Sequence, residues 1–353
     1  MDQLTDLPYV NAWCRARAHH LGLPPSRVSV TEVHRLSRGV SRQTWSLGLD
    51  DGRGGTRRLA VRRDHEAGNI IPTELRTEFA LYDRLKDAGI PLARPLWYED
   101  DPSWMPDGRP AYVRELVDGD WHLPALADDS PRGDSARIAL SKEHIDKLAL
   151  VHAVDWRRLG LDEVLPAPSS ADRCALDLID HCLAQLENFG TEPSVVLAEG
   201  IASLRDRAPR DVAEIRLCKG TNGHGEEVWR NGEIVALSDW ELAVLGDPAY
   251  DFAQCQEMIP EIERDGRRLW GMPEALEYYA TVSGTVIGLE RVAYYRDLYG
   301  LLQMVYTQHA ASLIRDRDAS PIRFAWTAVE VAFRSELRLA RSYLGDVMRQ
   351  GLA

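Results

Sequence analysis

The residue types best suited to chemistry gather between positions 215 and 252, in the stretch IRLCKGTNGHGEEVWRNGEIVALSDWELAVLGDPAYDF. Asn231-Gly232 separates two apolar runs and reads as a tight turn. The run Ile234-Val235-Ala236-Leu237 has the length and composition of a buried strand. It leads into Ser238-Asp239-Trp240-Glu241 and then Gly246-Asp247-Pro248-Ala249-Tyr250-Asp251. A carboxylate at the end of a buried strand is expensive to desolvate unless it holds a cation or accepts hydrogen bonds, which makes Asp239 a candidate metal ligand. Further upstream, Gly39 stands near Ser37 and Ser41 between two strand-like runs. Backbone N–H groups of such a turn can cover phosphates, although an ordinary hairpin uses the same residues. Arg62, at the end of the run Leu59-Ala60-Val61, could clamp a phosphate with two hydrogen bonds or simply be solvated at a strand edge.

The elements that must position these groups change character along the chain. Residues 1–28 carry Val10, Trp13, Cys14 and Ala18 at helical spacing and read as a helical extension, ended by Leu23-Pro24-Pro25. From Val28 the period falls to two, with strands expected over 28–33, on from the Gly39 turn within 36–47, and over 59–64, 95–98 and 111–117. One amphipathic helix, 73–88, interrupts them, with Leu75, Phe79, Leu81, Tyr82 and Leu85 on its apolar face. Beyond Val117 the spacing is helical over 138–154, 171–189, 195–208, 273–296, 297–316 and 321–349. The reading is an α+β chain of three parts: the extension 1–28, a sheet-rich part 29–117 and a helix-rich part 118–353. The charge-rich stretch 257–268 reads first as a solvated surface, with an acidic, mobile loop as the alternative.

Composition narrows the class of function. The chain has 353 residues, enough for one large or two ordinary domains, and its 44% hydrophobic and 27% charged residues are ordinary for a globular protein. A net charge of −13 argues against a general nucleic-acid-binding role. No apolar run approaches the ~18 residues that span a bilayer, and the start of the chain lacks a secretory pattern. The five cysteines have no C-x-x-C spacing and read as reduced, mostly buried thiols of a cytoplasmic protein.

The second half of the 215–252 stretch resembles the aminoglycoside phosphotransferase/choline-kinase-like family, whose members have a protein-kinase-like fold. That family carries an H-G-D-x-x-x-x-N loop, a hairpin, an I-D-W-E-type metal acid and a closing G-D-P-x-x-D. Asp239 falls on the metal acid, and Gly246-Asp247-Pro248 with Asp251 falls on the closing motif. The resemblance runs from about residue 29 to 310. It implies a bilobal fold, with a small antiparallel-sheet N-lobe and a larger α-rich C-lobe, and ATP with Mg2+ as cofactors. Gly39, Ser41, Thr44 and Trp45 match the family's loop over the nucleotide, and Arg62 takes the place of its phosphate-pairing base. Glu78 is the implied partner of that base, with Glu74 one turn earlier as its rival. Glu115 and Val117 fall on the hinge whose backbone holds the adenine. His152 matches an L-x-x-x-H-x-x-D pattern and reads as structural. Tyr295 and Tyr299 read first as core and rim, but the family's helices here form the acceptor pocket, so Tyr295, Tyr299 or His309 could line it; the acceptor itself is a small molecule of unknown identity.

In the first half of the stretch the family spacing is kept but the chemistry changes. Lys219 stands at the family His, Thr221 at the catalytic Asp and Glu226 at the metal-binding Asn. Losing the Asp removes a group worth roughly 10²–10⁴ in rate, while magnesium accepts a carboxylate at 226 readily. Glu226 and Asp239 would then form the metal pair, with Lys219 balancing charge or reaching a phosphate. His224 and Glu227 are candidates for a relocated base. A Lys219–Glu226 salt bridge in a loop freed from catalysis is the competing structural reading. Three functions follow: an ATP-dependent phosphotransferase with a rebuilt loop, a pseudokinase acting through a protein partner, and nucleotidyl transfer on the same scaffold.

Overall fold

The period-2 stretches do assemble into a sheet in the computed structural model of the chain, which describes residues 3–36, 41–50, 55–192, 194–223, 225–316 and 322–351. Strands β1 (Ser29–Leu36), β2 (Arg42–Asp50), β3 (Thr56–Asp64), β4 (Pro95–Glu99) and β5 (Ala111–Glu115) pair antiparallel in the order β1-β2-β3-β5-β4. Helix α1 (Leu7–Ala16) is not a separate appendage. Its Val10, Trp13 and Cys14 join one buried cluster with Trp45, Leu47, Trp97 and Val113 of the sheet. Trp13 Nε1 and Arg17 Nε donate to Glu99 Oε2 at 2.8 and 2.7 Å, so the buried indole N–H has its acceptor. By contact density the chain divides into Met1–Asp87 with Leu92–Asp118, and Ala88–Pro91 with Gly119–Ala353.

Helix α2 (Leu75–Leu85) carries Glu78, which is 1% exposed and could not remain buried without donors. Arg42 Nη1 donates to its Oε2 at 2.8 Å, Tyr112 Oη donates to Oε1 at 2.8 Å, and Arg62 Nη1 lies 3.2 Å from Oε1. Arg42 also reaches Asp64 Oδ1 at 2.9 Å and the Thr73 carbonyl at 2.7 Å. One buried arginine thus ties the start of β2 to β3 and α2.

The second unit is mainly helical: α3 (Pro124–Ala127), α4 (Asp134–His152), α5 (Cys174–Asn188), α6 (Val195–Asp206), α7 (Ala249–Gln254), α8 (Met272–Ser283), α9 (Leu289–Arg315), α10 (Ile322–Trp326) and α11 (Ala332–Gly351). Three short antiparallel pairs join them: β6 (Arg216–Cys218) with β9 (Val244–Gly246), β7 (Glu227–Arg230) with β8 (Glu233–Leu237), and β10 (Ile262–Arg264) with β11 (Arg267–Trp270). The last pair takes the place of the mobile loop that is the alternative reading of 257–268. Asp265 and Gly266 have φ of 52° and 72°, the left-handed values a tight hairpin needs, and Arg264 is clamped to Asp134 at 2.7 Å. The expected join between helices at 296–297 is also displaced. Gly284, with φ 72°, ends α8 in a left-handed cap, and α9 runs unbroken past that point. All five cysteines are buried and unpaired. No helix among the described residues is long and apolar enough to cross a membrane.

Removing Arg42 should expose the dependence of the first unit on this buried cation. Arg42→Met is expected to destabilise the protein by about 3 kcal/mol, read as a lower urea midpoint. Arg76→Met, at the exposed Arg76–Asp100 pair, should leave the midpoint nearly unchanged.

Candidate functional site

The loop from Lys219 to Glu226 joins β6 to β7, and a single carboxylate fixes its shape. Asp251, on α7, is fully buried. Its Oδ2 accepts the Lys219 N–H at 2.9 Å, and its Oδ1 accepts the Gly220 N–H at 2.7 Å and Asn222 Nδ2 at 3.0 Å. His152 Nε2, at the end of α4, lies 2.9 Å from Oδ2, and its Nδ1 lies 2.8 Å from Tyr279 Oη. Burial alone would raise the Asp251 pKa, but the His152 hydrogen bond and charge and the two loop N–H donors bring it below its ordinary value. The residues His152 and Asp251 therefore tie α4, α7 and α8 to the loop. Gly220 is held at φ 84°, and a Cβ there would stand 2.0 Å from the Leu242 carbonyl oxygen.

Lys219 does not reach outward. Its side chain is fully buried, Nζ donates to the Thr221 carbonyl oxygen, and Nζ lies 3.8 Å from Glu227 Oε1. This corrects two expectations: that Lys219 reaches a phosphate, and that its salt bridge is with Glu226. The reason is that Glu227, the first residue of β7, is fully buried beside Lys219, whereas Glu226 lies just ahead of the strand and is only half-buried. His144 of α4 completes the interior, with Nδ1 3.7 Å from Glu227 Oε1. Burial, and then the Lys219 charge, lower the His144 pKa to about 3, so this histidine is neutral. Neither nitrogen of His144 nor either oxygen of Glu227 has a hydrogen-bond partner.

Glu226 is half-buried beside Asp239. Burial first, and then the Asp239 charge, push the Glu226 pKa up to about 8, while the Lys219 charge, which Glu226 also feels, opposes the rise. Asp239 follows β8 with φ 61°, a left-handed conformation that Asp tolerates better than most residues. Its buried Oδ1 has no hydrogen-bond partner. Two carboxyl groups that resist sharing negative charge, one with an unmatched oxygen, make a donor set that suits a hard divalent cation. Thr221 Oγ1 is likewise buried without a partner.

In the first unit, Arg62 is 11% exposed and paired with Glu78, whereas the rival Glu74 is exposed and precedes α2. Ser41 is half-buried just ahead of β2; Gly39 and His224 lie outside the described residues. Glu115 ends β5, its N–H bonded to the Arg94 carbonyl at 2.8 Å and its carboxylate to Arg57 at 3.0 Å, and Val117 follows half-buried. Of the three candidates for an acceptor pocket, Tyr295 is 2% exposed and packs edge-on against Tyr294 and Tyr250, as a core residue does. Tyr299 lies under Arg338, and His309 stacks on Phe189.

Arg42, His144 and Asn222 were invisible as site residues in the sequence. An arginine at the start of a strand and a histidine inside an amphipathic helix are ordinary there. Only the adjacent acids Glu226-Glu227 at a strand start signalled that one of the two must face inward.

Two outcomes test this arrangement. Lys219→Met should cost about 3 kcal/mol at pH 8, because Glu227 must then either stay charged or bind a proton; the loss should shrink at pH 5. Lys219→Met with Glu227→Leu should recover most of it in denaturant unfolding. The second concerns pH. Glu226 and Glu227, raised to about 8 and about 7 from 4.5, keep protons in the fold that the unfolded chain has released. The folded state thus binds more protons over this window, and its stability falls as pH rises. The thermal midpoint of metal-free protein should decline as pH rises through 7 and 8, and Glu226→Gln should flatten the decline.

Comparison with known proteins adds the lineage. The phosphotransferase enzyme family matches residues 32–295. Curated relatives include acyl-CoA dehydrogenase family member 11 of Gallus gallus, 26% identical over 247 residues, which are 66% of this chain and 28% of the relative. Another is acyl-CoA dehydrogenase family member 10 of Mus musculus, 26% identical over 63% of this chain and 20% of the relative. The chain thus spans about a quarter of the length of these relatives. Among solved structures, an aminoglycoside phosphotransferase-like protein of Ralstonia eutropha JMP134 superposes with a TM-score of 0.66 at 19% identity, covering 96% of this chain and 97% of the other. The macrolide 2'-phosphotransferase MphH of Brachybacterium faecium gives 0.57 at 15% identity, with 95% and 97% covered. The aminoglycoside phosphotransferase APH(4)-Ia, in ternary complex with ADP and hygromycin B, gives 0.55 at 16% identity, with 89% and 95% covered. The fold is α+β and protein-kinase-like, and with the family matched over residues 32–295, this chain belongs to the phosphotransferase enzyme family.

Proposed function

We propose that the protein is an ATP-dependent phosphotransferase acting on a small molecule, with Mg2+ held by Glu226 and Asp239. The observation that carries this reading is the carboxyl pair, in which Glu226 is pushed up to about 8 while Asp239 keeps a buried oxygen without a partner. Magnesium there would neutralise the triphosphate and the charge that develops on the transferred group. Arg62, ion-paired to Glu78, is assigned the family's phosphate-pairing role. Ser41, Glu115 and Val117 are assigned to the nucleotide on their family positions. Nucleotide binding is further supported by the ADP complex of APH(4)-Ia, and a small-molecule acceptor by its hygromycin B.

Thr221 has no acid–base capacity near neutral pH, so it can orient an acceptor hydroxyl but not deprotonate it. In a loose phosphoryl-transfer transition state the hydroxyl proton leaves late, and positioning with electrostatic stabilisation supplies most of the rate. A slow transferase is the expected result. The missing acid at 221 favours one second reading, nucleotide binding without transfer.

Calorimetry should show magnesium-dependent ATP binding that Asp239→Asn weakens by tenfold or more, about 1.4 kcal/mol. A wild-type protein that binds no nucleotide, or an Asp239→Asn protein with undiminished affinity, would reject the metal assignment. A screen of small-molecule acceptors reading ADP and AMP together separates phosphoryl from nucleotidyl transfer. Tight binding with neither product supports the second reading.

A further inference from the structure

The last three elements, α10, a π-helical turn at Thr327–Val331 and α11, follow one another without a break. Their inner face is closed: Phe324, Ser335 and Leu339 are buried. Leu339 packs so closely over Gly200 of α6 that a Cβ there would stand 2.4 Å from its Cγ. The outer face is apolar as well. Ile322 is 88% exposed, Trp326 52%, Val329 71%, Phe333 67%, Leu337 40% and Leu344 46%. At ~100° per residue, Phe333, Leu337, Ala340 and Leu344 fall within a stripe of about 60°. A contiguous stripe of this kind marks a contact surface, whereas single exposed apolar residues need no explanation.

The charges beside the stripe say what covers it. Arg334, Arg338 and Arg341 lie along one flank, and Glu336 lies along the other. Arg334 is engaged by Glu330, and Arg338 lies 5.6 Å above the Tyr299 ring. Among the described residues, neither Glu336 nor Arg341 has an ion-pair partner. We propose that this face binds a second copy of the chain, helix against helix and parallel, with the two-fold axis running along the stripe. In a parallel pair the acidic flank of one copy meets the basic flank of the other, and Glu336 lies beside the partner's Arg341, five residues further on. An antiparallel pair would set arginines against arginines. An anionic lipid surface would have to accept Glu336, and a cationic partner would have to accept the arginines. Self-association in parallel is the arrangement that satisfies both flanks at once.

Sedimentation velocity over a concentration series should show a monomer–dimer equilibrium. The double variant Phe333→Ser/Leu337→Ser should be monomeric with an unchanged circular dichroism spectrum, since both side chains are exposed. Glu336→Arg should weaken the dimer, and Glu336→Arg with Arg341→Glu should restore it. Ala340→Cys should give a disulfide-linked dimer under mild oxidation, readable because the five native cysteines are buried. A wild-type protein that stays monomeric at about 100 µM, or a dimer indifferent to Phe333→Ser/Leu337→Ser, would overturn the proposal. So would sedimentation with phosphatidylserine vesicles that the same double variant abolishes. A dimer that never cross-links through residue 340 would refute the parallel arrangement.

Discussion

A carboxylate with no access to water can keep its charge only if donors surround it, and that requirement organises the second unit around Asp251. Two of its donors are consecutive main-chain N–H groups of the loop, a third is the Asn222 amide and a fourth is the imidazole of His152. Because the donors come from separate elements, α4, α7 and the loop cannot shift independently without stranding the charge. The conformation of the backbone from Lys219 to Asn222 is therefore decided from behind. What the loop's outward side chains are is a separate matter.

That separation leaves the path of the loop independent of its remaining side chains. Inward, a Lys219–Glu227 pair with a neutral His144 fills a space that admits no water-facing charge. A pair of this kind adds little net stability over well-packed apolar residues, yet it strongly penalises losing one member. The two residues must therefore change together. Beside that pair, Glu226 and Asp239 share a site in which burial and the Asp239 charge make Glu226 hold its proton, a cost that a bound cation would relieve. Glu226, just ahead of β7, and Glu227, its first residue, thus differ in burial and nearest partner, Asp239 for the first and Lys219 for the second, while both feel the same two charges.

Much of this was legible in the sequence because it rests on local rules. The period-2 runs gave the five strands, the Asn231-Gly232 turn gave the β7–β8 hairpin, and Asp239 stood at the end of a buried strand as expected. Glu78 could be told from Glu74 only by burial, since both sit near the start of the same helix. The direction of the Lys219 side chain was not legible, because what decides it is the inward register of Glu227 and the presence of His144, 75 positions earlier. The hairpin at 262–270 was missed for a different reason. Its charged composition concealed the Asp265-Gly266 turn, which was in plain view.

Within the loop held by Asp251, Gly220 stands where only glycine fits. Its φ of 84° and the Leu242 carbonyl, 2.0 Å from where a Cβ would stand, leave no room for any other residue. Its neighbours carry no such backbone restriction: neither Lys219 nor Thr221 has a positive φ, and what holds Lys219 is its buried partner Glu227. In evolutionary terms the loop behaves as a socket with one immovable pin. A survey of natural variants should therefore find fixed backbone geometry at 220 flanked by the most divergent chemistry in the unit.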